Sequence, residues 1–346
     1  MAIGIAILGA GIFAREEHLP AIRACDSLSL KAIYSRSEAS STALAKSADV
    51  DTYFDSPKSP SKSLDDLLQR KDIHAVVIAL PILVQPAIIR KALSAGKHVL
   101  SEKPIARDVA TAEGLIAWYK EQKIEQIWSV AENFRFLEPV VYGAEQVKKV
   151  GGSVTTFSMK LYGFVDENDK FYKTPWRQVP EYQGGFLLDG GVHFTAGLRG
   201  LLVAGGQHIT HLAAFSSLLE KKLAPVDTVH ATMKISNGNN GTFNLSFGTE
   251  FKSGFEIEVV TSKGAVVVRP TEVVVTTKDE KGVKKEDVKK FEYSAGVKPE
   301  ILAFAKALEA GKGNEKSSPE EALMDLKILQ TLLESGEKGG KVMKVA

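Results

Sequence analysis

The chain has 346 residues, more than one compact core usually serves, so two domains are expected. Lys and Arg number 44 against 42 Asp and Glu, and a formal charge of +2 excludes the concentrated basic character of a nucleic-acid binder. With 44% hydrophobic and 25% charged residues the composition is globular rather than disordered, and one cysteine, Cys25, allows neither an internal disulfide nor a multi-cysteine metal site.

In the first third, short apolar runs at 3–8, 28–34, 75–80, 98–101 and 126–131 read as strands, and stretches at 14–25, 38–47, 83–95 and 110–122 have helical periodicity. Apolarity is continuous in 3–8 and 75–80, which signals burial on both faces, as in a parallel sheet covered by helices. Gly96 stops the helix ending at Ala95. Residues 1–132 are therefore expected to form an α/β doubly wound domain of the Rossmann type, built on a parallel sheet. Beyond about Asn133 the grammar changes. A helix at 139–150 ends at Gly151-Gly152, and strand-like segments follow at 155–161, 209–216, 228–235, 241–247, 255–261 and 265–268. Turn sequences such as Asn237-Gly238-Asn239-Asn240-Gly241 and Lys263-Gly264 separate them, the pattern of antiparallel hairpins. The mixed-sign run 278–290 reads as a solvated hairpin, and helices at 300–310 and 319–334 follow. Residues 133–346 are expected to form an α+β domain with an open, mostly antiparallel sheet.

Two apolar stretches do not read as export or membrane segments. Residues 1–14 lack a basic start and a small-residue cleavage site, and 75–84 fall short of the roughly 20 residues that span a bilayer. Lys344-Val345-Ala346 matches no peroxisomal, retention or prenylation address, so a cytoplasmic protein is expected.

Gly9-Ala10-Gly11-Ile12-Phe13-Ala14 follows the first strand and opens the first helix. Gly9 allows a tight turn, Gly11 lets a pyrophosphate approach the backbone, and Ala14 fills the small third position where helix and strand pack closely. The helix N-terminus then faces the phosphates. A purely structural turn is the plainer reading, but the placement at the first strand-to-helix turn favours a dinucleotide. NAD sites usually set a carboxylate about 20 residues further on, for the ribose 2′-hydroxyl. Here the chain reads Tyr34-Ser35-Arg36-Ser37 instead. Arg36 between two serines offers a cation and hydroxyls to a 2′-phosphate, although an ordinary solvated arginine would look the same. NADP(H) is the expected cofactor.

Ser101-Glu102-Lys103-Pro104 follows a strand, where open α/β sheets place ligand contacts. Lys103 there would stabilise negative charge on a substrate oxygen; a surface lysine before a turn proline is the equal alternative. In the second half, Gly184-Gly185-Phe186-Leu187-Leu188-Asp189-Gly190-Gly191-Val192-His193 is the most informative segment. Asp189 and His193 are four apart and share a helix face, so the carboxylate can orient an imidazole suited to proton transfer near neutral pH. An isolated histidine is more often structural. The aspartate partner tips the reading toward function, as do four glycines that would weaken a helix kept for packing but let it press on a flat ligand. His208 and His211 point to opposite faces of a strand-like run, and neither a metal motif nor a Gly-x-Ser-x-Gly elbow is present.

Taken in order, Gly9 to Ala14, Glu102-Lys103-Pro104, Ala131-Glu132-Asn133-Phe134-Arg135, Trp176-Arg177 and Gly184 to His193 resemble the glucose–fructose oxidoreductase/inositol dehydrogenase/rhizopine-catabolism (Gfo/Idh/MocA) family over nearly the whole chain. Ala10 to Arg15 and Thr174-Pro175-Trp176-Arg177 are similar to its fungal NADP-dependent branch. The resemblance implies a Rossmann domain followed by an open-sheet domain whose exposed face often makes a dimer interface, hence a homodimer. It implies Lys103, Asp189 and His193 as catalytic residues around the substrate carbon, and Asn133, Trp176 and Arg177 as lining cofactor or substrate. Gly9, Gly11, Ile12, Phe13, Ala14, Ser35, Arg36, Leu80, Pro81, Glu102 and Lys103 complete the expected cofactor set. Many members carry a histidine a few residues after Leu80-Pro81; here Gln85 stands near that place. The expected activity is hydride transfer between NADP(H) and a sugar, polyol or small carbonyl compound, with a non-catalytic nucleotide sensor of the same fold as the alternative. Specificity is expected to reside in 164–182, where Asp166, Lys170 and Tyr172 are candidate contacts.

Overall fold

The computed structural model describes residues 2–56 and 58–345. Packing divides the chain into two compact units, Met1–Asn133 with Ala295–Leu323, and Phe134–Ser294 with Met324–Ala346. In the first, parallel strands β1 (Ile3–Leu8), β2 (Leu28–Tyr34), β3 (Asp51–Tyr53), β4 (Ala75–Ile78), β5 (His98–Glu102) and β6 (Trp128–Ala131) lie in the order β3-β2-β1-β4-β5-β6. This is the doubly wound order, which reverses between β1 and β4 and offers its ligand crevice at the carboxyl ends of the strands. Every residue of β4 is buried, as continuous apolarity requires of a central strand covered on both faces.

Helices α1 (Leu19–Arg23), α2 (Glu38–Ala48), α3 (Leu64–Gln69), α4 (Gln85–Ser94) and α5 (Val109–Glu121) accompany the strands, α1 being entered through a wider π turn, Ala14–His18. Gly96 ends α4 as expected: its φ is +76°, and the amides of Gly96 and Lys97 donate back to Leu93 and Ala92. Two elements had no periodic signature. Strand β3 is three residues long with only Tyr53 buried, and α3 is six residues long. The latter carried a local sign nonetheless, a capping box in which Ser63 and Asp66 bond each other's backbone amides.

The second unit opens on α6 (Glu138–Val150), which stops at the positive-φ pair Gly151 and Gly152. Next come β7 (Val154–Tyr162), α7 (Pro175–Gln178), α8 (Gly185–Ala204), β8 (Ile209–Ser217), β9 (Thr228–Ile235) and β10 (Asn240–Ser246). Strands β11 (Gly254–Thr261), β12 (Gly264–Arg269), β13 (Glu272–Lys278) and β14 (Lys284–Lys290) follow. Neighbours in this sheet pair antiparallel except β7 with β10, which run parallel. Strand β9 shows the alternation of a sheet with one open face: Val229, Ala231, Met233 and Ile235 are buried, while His230, Thr232 and Lys234 are exposed. The charged run expected to be a solvated hairpin is β14 with its turn; all its residues are exposed, and its lysines discourage edge-to-edge pairing.

Helix α9 (Val297–Ala310) returns to the first unit, where Ile301, Phe304 and Ala305 join Ile5, Ile7, Val77 and Leu100 in one core. Helix α10 (Pro319–Glu337) and the short β15 (Met343–Lys344) end the described chain, β15 pairing with β8. Asp325 on α10 has no solvent exposure and bridges two guanidinium groups, those of Arg135 and, at 2.8 Å, Arg199. A carboxylate buried between two arginines is held by them, and its removal takes a buried counter-charge from both. Asp325→Ala should therefore lower unfolding free energy by about 3–5 kcal/mol, read from urea denaturation; a loss below about 1 kcal/mol would contradict this account.

Candidate active site

The first strand-to-helix turn shows why glycine is needed at its start. Gly9 has φ +122°, its amide donates to Tyr34 O at 2.7 Å, and a Cβ there would lie 2.2 Å from Ala79 O. Two backbones thus meet where β1 and β4 part, and only glycine fits. Gly11 is different: a Cβ would meet nothing within 4 Å, so its backbone faces open space. Ala14 is buried in the core, and Ile12 and Phe13 are half-buried. Phe13 packs edge-on against His18, with ring centroids 5.2 Å apart.

The other expected contacts of this unit gather at the same edge of the sheet. Ser35 and Arg36 follow β2, Leu80 and Pro81 follow β4, and Glu102 and Lys103 end and follow β5. Arg36 is exposed and has no ion-pair partner among the described residues. Of its flanking serines, Ser37 caps α2 by accepting from Ser40 N, so its oxygen already serves the helix, while Ser35 is half-buried. Beside them the Tyr34 hydroxyl donates to Asp55 at 2.7 Å, and burial with that carboxylate pushes the phenol well above its usual range. Gln85, which stands in place of the histidine, is buried, and neither its amide nitrogen nor its oxygen has a partner among the described residues. An open glycine turn, an exposed cation and an orphaned amide fit a phosphorylated dinucleotide.

Two side chains of this set have protein partners that the sequence did not disclose. Glu102 Oε1 lies 2.7 Å from Nε2 of His18, whose side chain is fully buried. This pair ties the end of β5 to the first helix. Asn133 Nδ2 donates to Ala295 O at 2.6 Å, joining the end of the first sheet region to the segment that returns through α9. His18 had one sequence sign, its place on the inner face of the first helix, but nothing local pointed to Glu102.

In the second unit α8 carries Asp189 and His193. Asp189 is nearly buried, and its Oδ2 accepts from Arg177 Nε at 2.7 Å. Arg177 sits on α7, its guanidinium 4.0 Å from the centre of the half-buried Trp176 ring and 5.6 Å from that of Phe171, and donates from Nη1 to Thr174 Oγ1. Read without the resemblance, Arg177 is a surface cation and Trp176 a core residue; in the structure they form one stacked pair beside Asp189. His193 is half-buried and lies face to face with Phe134, centroids 4.8 Å apart and planes inclined 19°. Phe134 thereby fixes the imidazole plane.

The glycines of α8 need a different explanation from the expected one. A Cβ on Gly190 would lie 2.8 Å from the Phe247 ring, on Gly191 2.8 Å from Leu245, and on Gly197 3.0 Å from Ile257. They let α8 settle onto the sheet, so packing rather than contact with a flat ligand accounts for them. Tyr182, just before α8, has a hydroxyl sealed from solvent and without a hydrogen-bond partner among the described residues. Burial and then the Asp189 charge push this phenol well above its usual range, against the opposing influence of Arg177. Among the described residues no cluster of three His, Cys, Asp or Glu could hold a metal ion, and no helix is long and apolar enough to cross a membrane.

Residues 3–128 match the model of the Gfo/Idh/MocA oxidoreductase family, NAD-binding Rossmann fold, and residues 145–345 match that family's C-terminal alpha/beta domain. The chain is 50% identical to Dehydrogenase FPY6 of Fusarium mangiferae over 345 residues, covering 99% of each. An oxidoreductase of Thermotoga maritima superposes with a TM-score of 0.86 at 29% identity, over 100% of this chain and 99% of that one. Levoglucosan dehydrogenase in complex with NADH and levoglucosan has the same fold, with a TM-score of 0.85 at 18% identity and full coverage of both chains.

The crossing at Gly9 yields a direct test. Gly9→Ala adds backbone strain of about 1–3 kcal/mol to a clash with a carbonyl oxygen. The expected outcome is a lowered melting temperature and loss of the rise that a dinucleotide otherwise gives; a variant with unchanged melting and binding would contradict the account of the turn.

Proposed function

The chain belongs to the Gfo/Idh/MocA oxidoreductase family, and from that premise we propose that it transfers hydride between NADP(H) and a sugar, polyol or small carbonyl substrate. The observation that carries this reading is the arrangement on α8, where Phe134 holds an imidazole and Arg177 holds a carboxylate one helical turn away. A side chain that moves protons needs a fixed plane and a fixed neighbouring charge, and a helix kept for packing alone needs neither.

The bound dinucleotide supplies the carrier of the hydride. In the oxidative direction His193 takes the proton of the substrate hydroxyl at an imidazole nitrogen. Lys103 meets the negative charge that grows on that oxygen. Asp189 orients a substrate hydroxyl or the imidazole, its own carboxylate held still by Arg177. Gly9, Gly11, Ile12, Phe13 and Ala14 carry the pyrophosphate turn, with Leu80, Pro81, Glu102, Asn133 and Trp176 as further walls of the cofactor and substrate sites. Preference for NADP(H) over NAD(H) is supported by the end of β2, which presents Ser35 and an unpaired Arg36 where a carboxylate would meet a 2′-hydroxyl.

The protein is further proposed to act in the cytoplasm as a homodimer joined through the open face of the nine-stranded sheet, where Phe215 is 67% exposed. The non-catalytic sensor has no observation of its own in its favour. Turnover separates the two: a sensor binds NADPH but oxidises none of it with aldoses and small aldehydes.

His193→Ala should lower kcat by roughly 10²–10⁴ while NADPH binding persists. Unchanged turnover would remove His193 from the mechanism. Arg36→Ala should weaken NADPH relative to NADH by about 10- to 100-fold, the range of a hydrogen bond to a charged group. An unaltered ratio of the two affinities would exclude Arg36 from the 2′-phosphate site.

A further inference from the structure

Tyr182 carries a polar group that the proposed reaction leaves unused. Its hydroxyl is shut off from solvent and has no partner, although Asp189 is near enough to act on it electrostatically. Asp189 turns its Oδ2 to Arg177 Nε instead and accepts nothing from the phenol. A buried hydroxyl without a partner forfeits its hydrogen bonds to water and gains none in return. A folded protein tolerates such a group where another state gives it a partner.

We propose that Tyr182 determines specificity: its hydroxyl donates to a substrate oxygen other than the one that reacts, an oxygen that can also give its proton to Asp189. This deepens, and rests on, the reading of α8 as a substrate site. The chemistry supports donation. Burial and the neighbouring carboxylate both favour the neutral phenol, so it keeps its proton across the neutral range and cannot serve as a base. Asp189 is an acceptor and Tyr182 a donor, and one alcohol group satisfies both, accepting from the phenol and donating to the carboxylate. A simple aldehyde has no second oxygen to offer.

The segment that precedes Tyr182 reaches this end of α8 through Arg177 and Asp189. Between 166 and 179 the backbone bonds close within the segment itself: Asp169 and Lys173 bond back to Asp166 and Asp169, and Arg177 and Gln178 to Thr174. Such a segment is tied to no ladder, so it can yield locally while Arg177 keeps Asp189, and substrate that enters there gives Tyr182 its missing partner.

Tyr182→Phe tests this in two ways. In the ligand-free protein the hydroxyl has nothing to lose, so the variant should melt at or above the wild-type temperature. A fall of more than about 4 °C would mean that the hydroxyl is already satisfied in the folded chain, by protein or by water, and overturns the proposal. The second readout is the ratio of kcat/KM for hydroxylated substrates (glyceraldehyde, xylose, glucose and fructose) to that for propanal, followed by NADPH oxidation. It should fall about tenfold in the variant for the best hydroxylated substrate, the share of one neutral hydrogen bond; an unchanged ratio overturns the proposal. If the wild type oxidises NADPH with none of these, the redox reading fails while the binding claim is read separately. NADPH-loaded wild type should then still gain melting temperature with saturating xylose, glucose or fructose, and the variant should not. No gain with any of the three overturns Tyr182 as well.

Discussion

Helix α8 buries charge near both of its ends, and each charge has to be matched from elsewhere in the chain. Near its start Asp189 meets Arg177, and near its end Arg199 meets Asp325. A buried ion is tolerated only with a close partner of opposite sign, since its separation from water is otherwise far too unfavourable. These two pairings set which parts of the second unit accompany α8: α7 with its loop at one end, and α10 at the other. Arg135 shares Asp325 and directly follows Phe134, so the ring that faces His193 is anchored through the same carboxylate. Structure and candidate chemistry therefore depend on one set of ion pairs.

A second constraint is closeness. The glycines of α8 remove side chains where Phe247, Leu245 and Ile257 rise from the sheet, so the helix lies low against it. That depth is why a polar side chain at 189 is nearly buried and why its partner must be a guanidinium rather than water. In the first unit the same principle acts at Gly9, where the chain leaving β1 passes the carbonyl of Ala79. Both units thus use glycine for approach between parts of the protein, whereas at Gly11, in the same turn as Gly9, the missing side chain opens onto free space.

Much of this was legible in the residues. Continuous apolar runs identified β1 and β4 as central strands, the glycine turn identified the start of the first helix, and the hairpin turns at Asn237 to Gly241 and at Lys263-Gly264 identified the antiparallel sheet. Strand β3 escaped because three residues carry no period, and α3 because its short apolar face was outweighed by its charges. The parallel pairing of β7 with β10 was hidden for another reason: strand direction within a sheet depends on the path between strands, which their composition does not record.

At the site, residue types and spacing named Lys103, Asp189 and His193 as candidates and left their surroundings open. Local pattern is set by neighbours a few residues away, so it determines helices, strands, caps and turns, and the dinucleotide turn among them. Partners are set by the course of the whole chain. His18 finds Glu102 across 84 residues, Arg199 finds Asp325 across 126, and α9 rejoins a sheet that the chain left long before. No spacing encodes these meetings, because they follow from packing all the elements at once. That Tyr182 is left without a partner also emerged only from the folded structure, since an absence of contacts exists only once every other contact has been made.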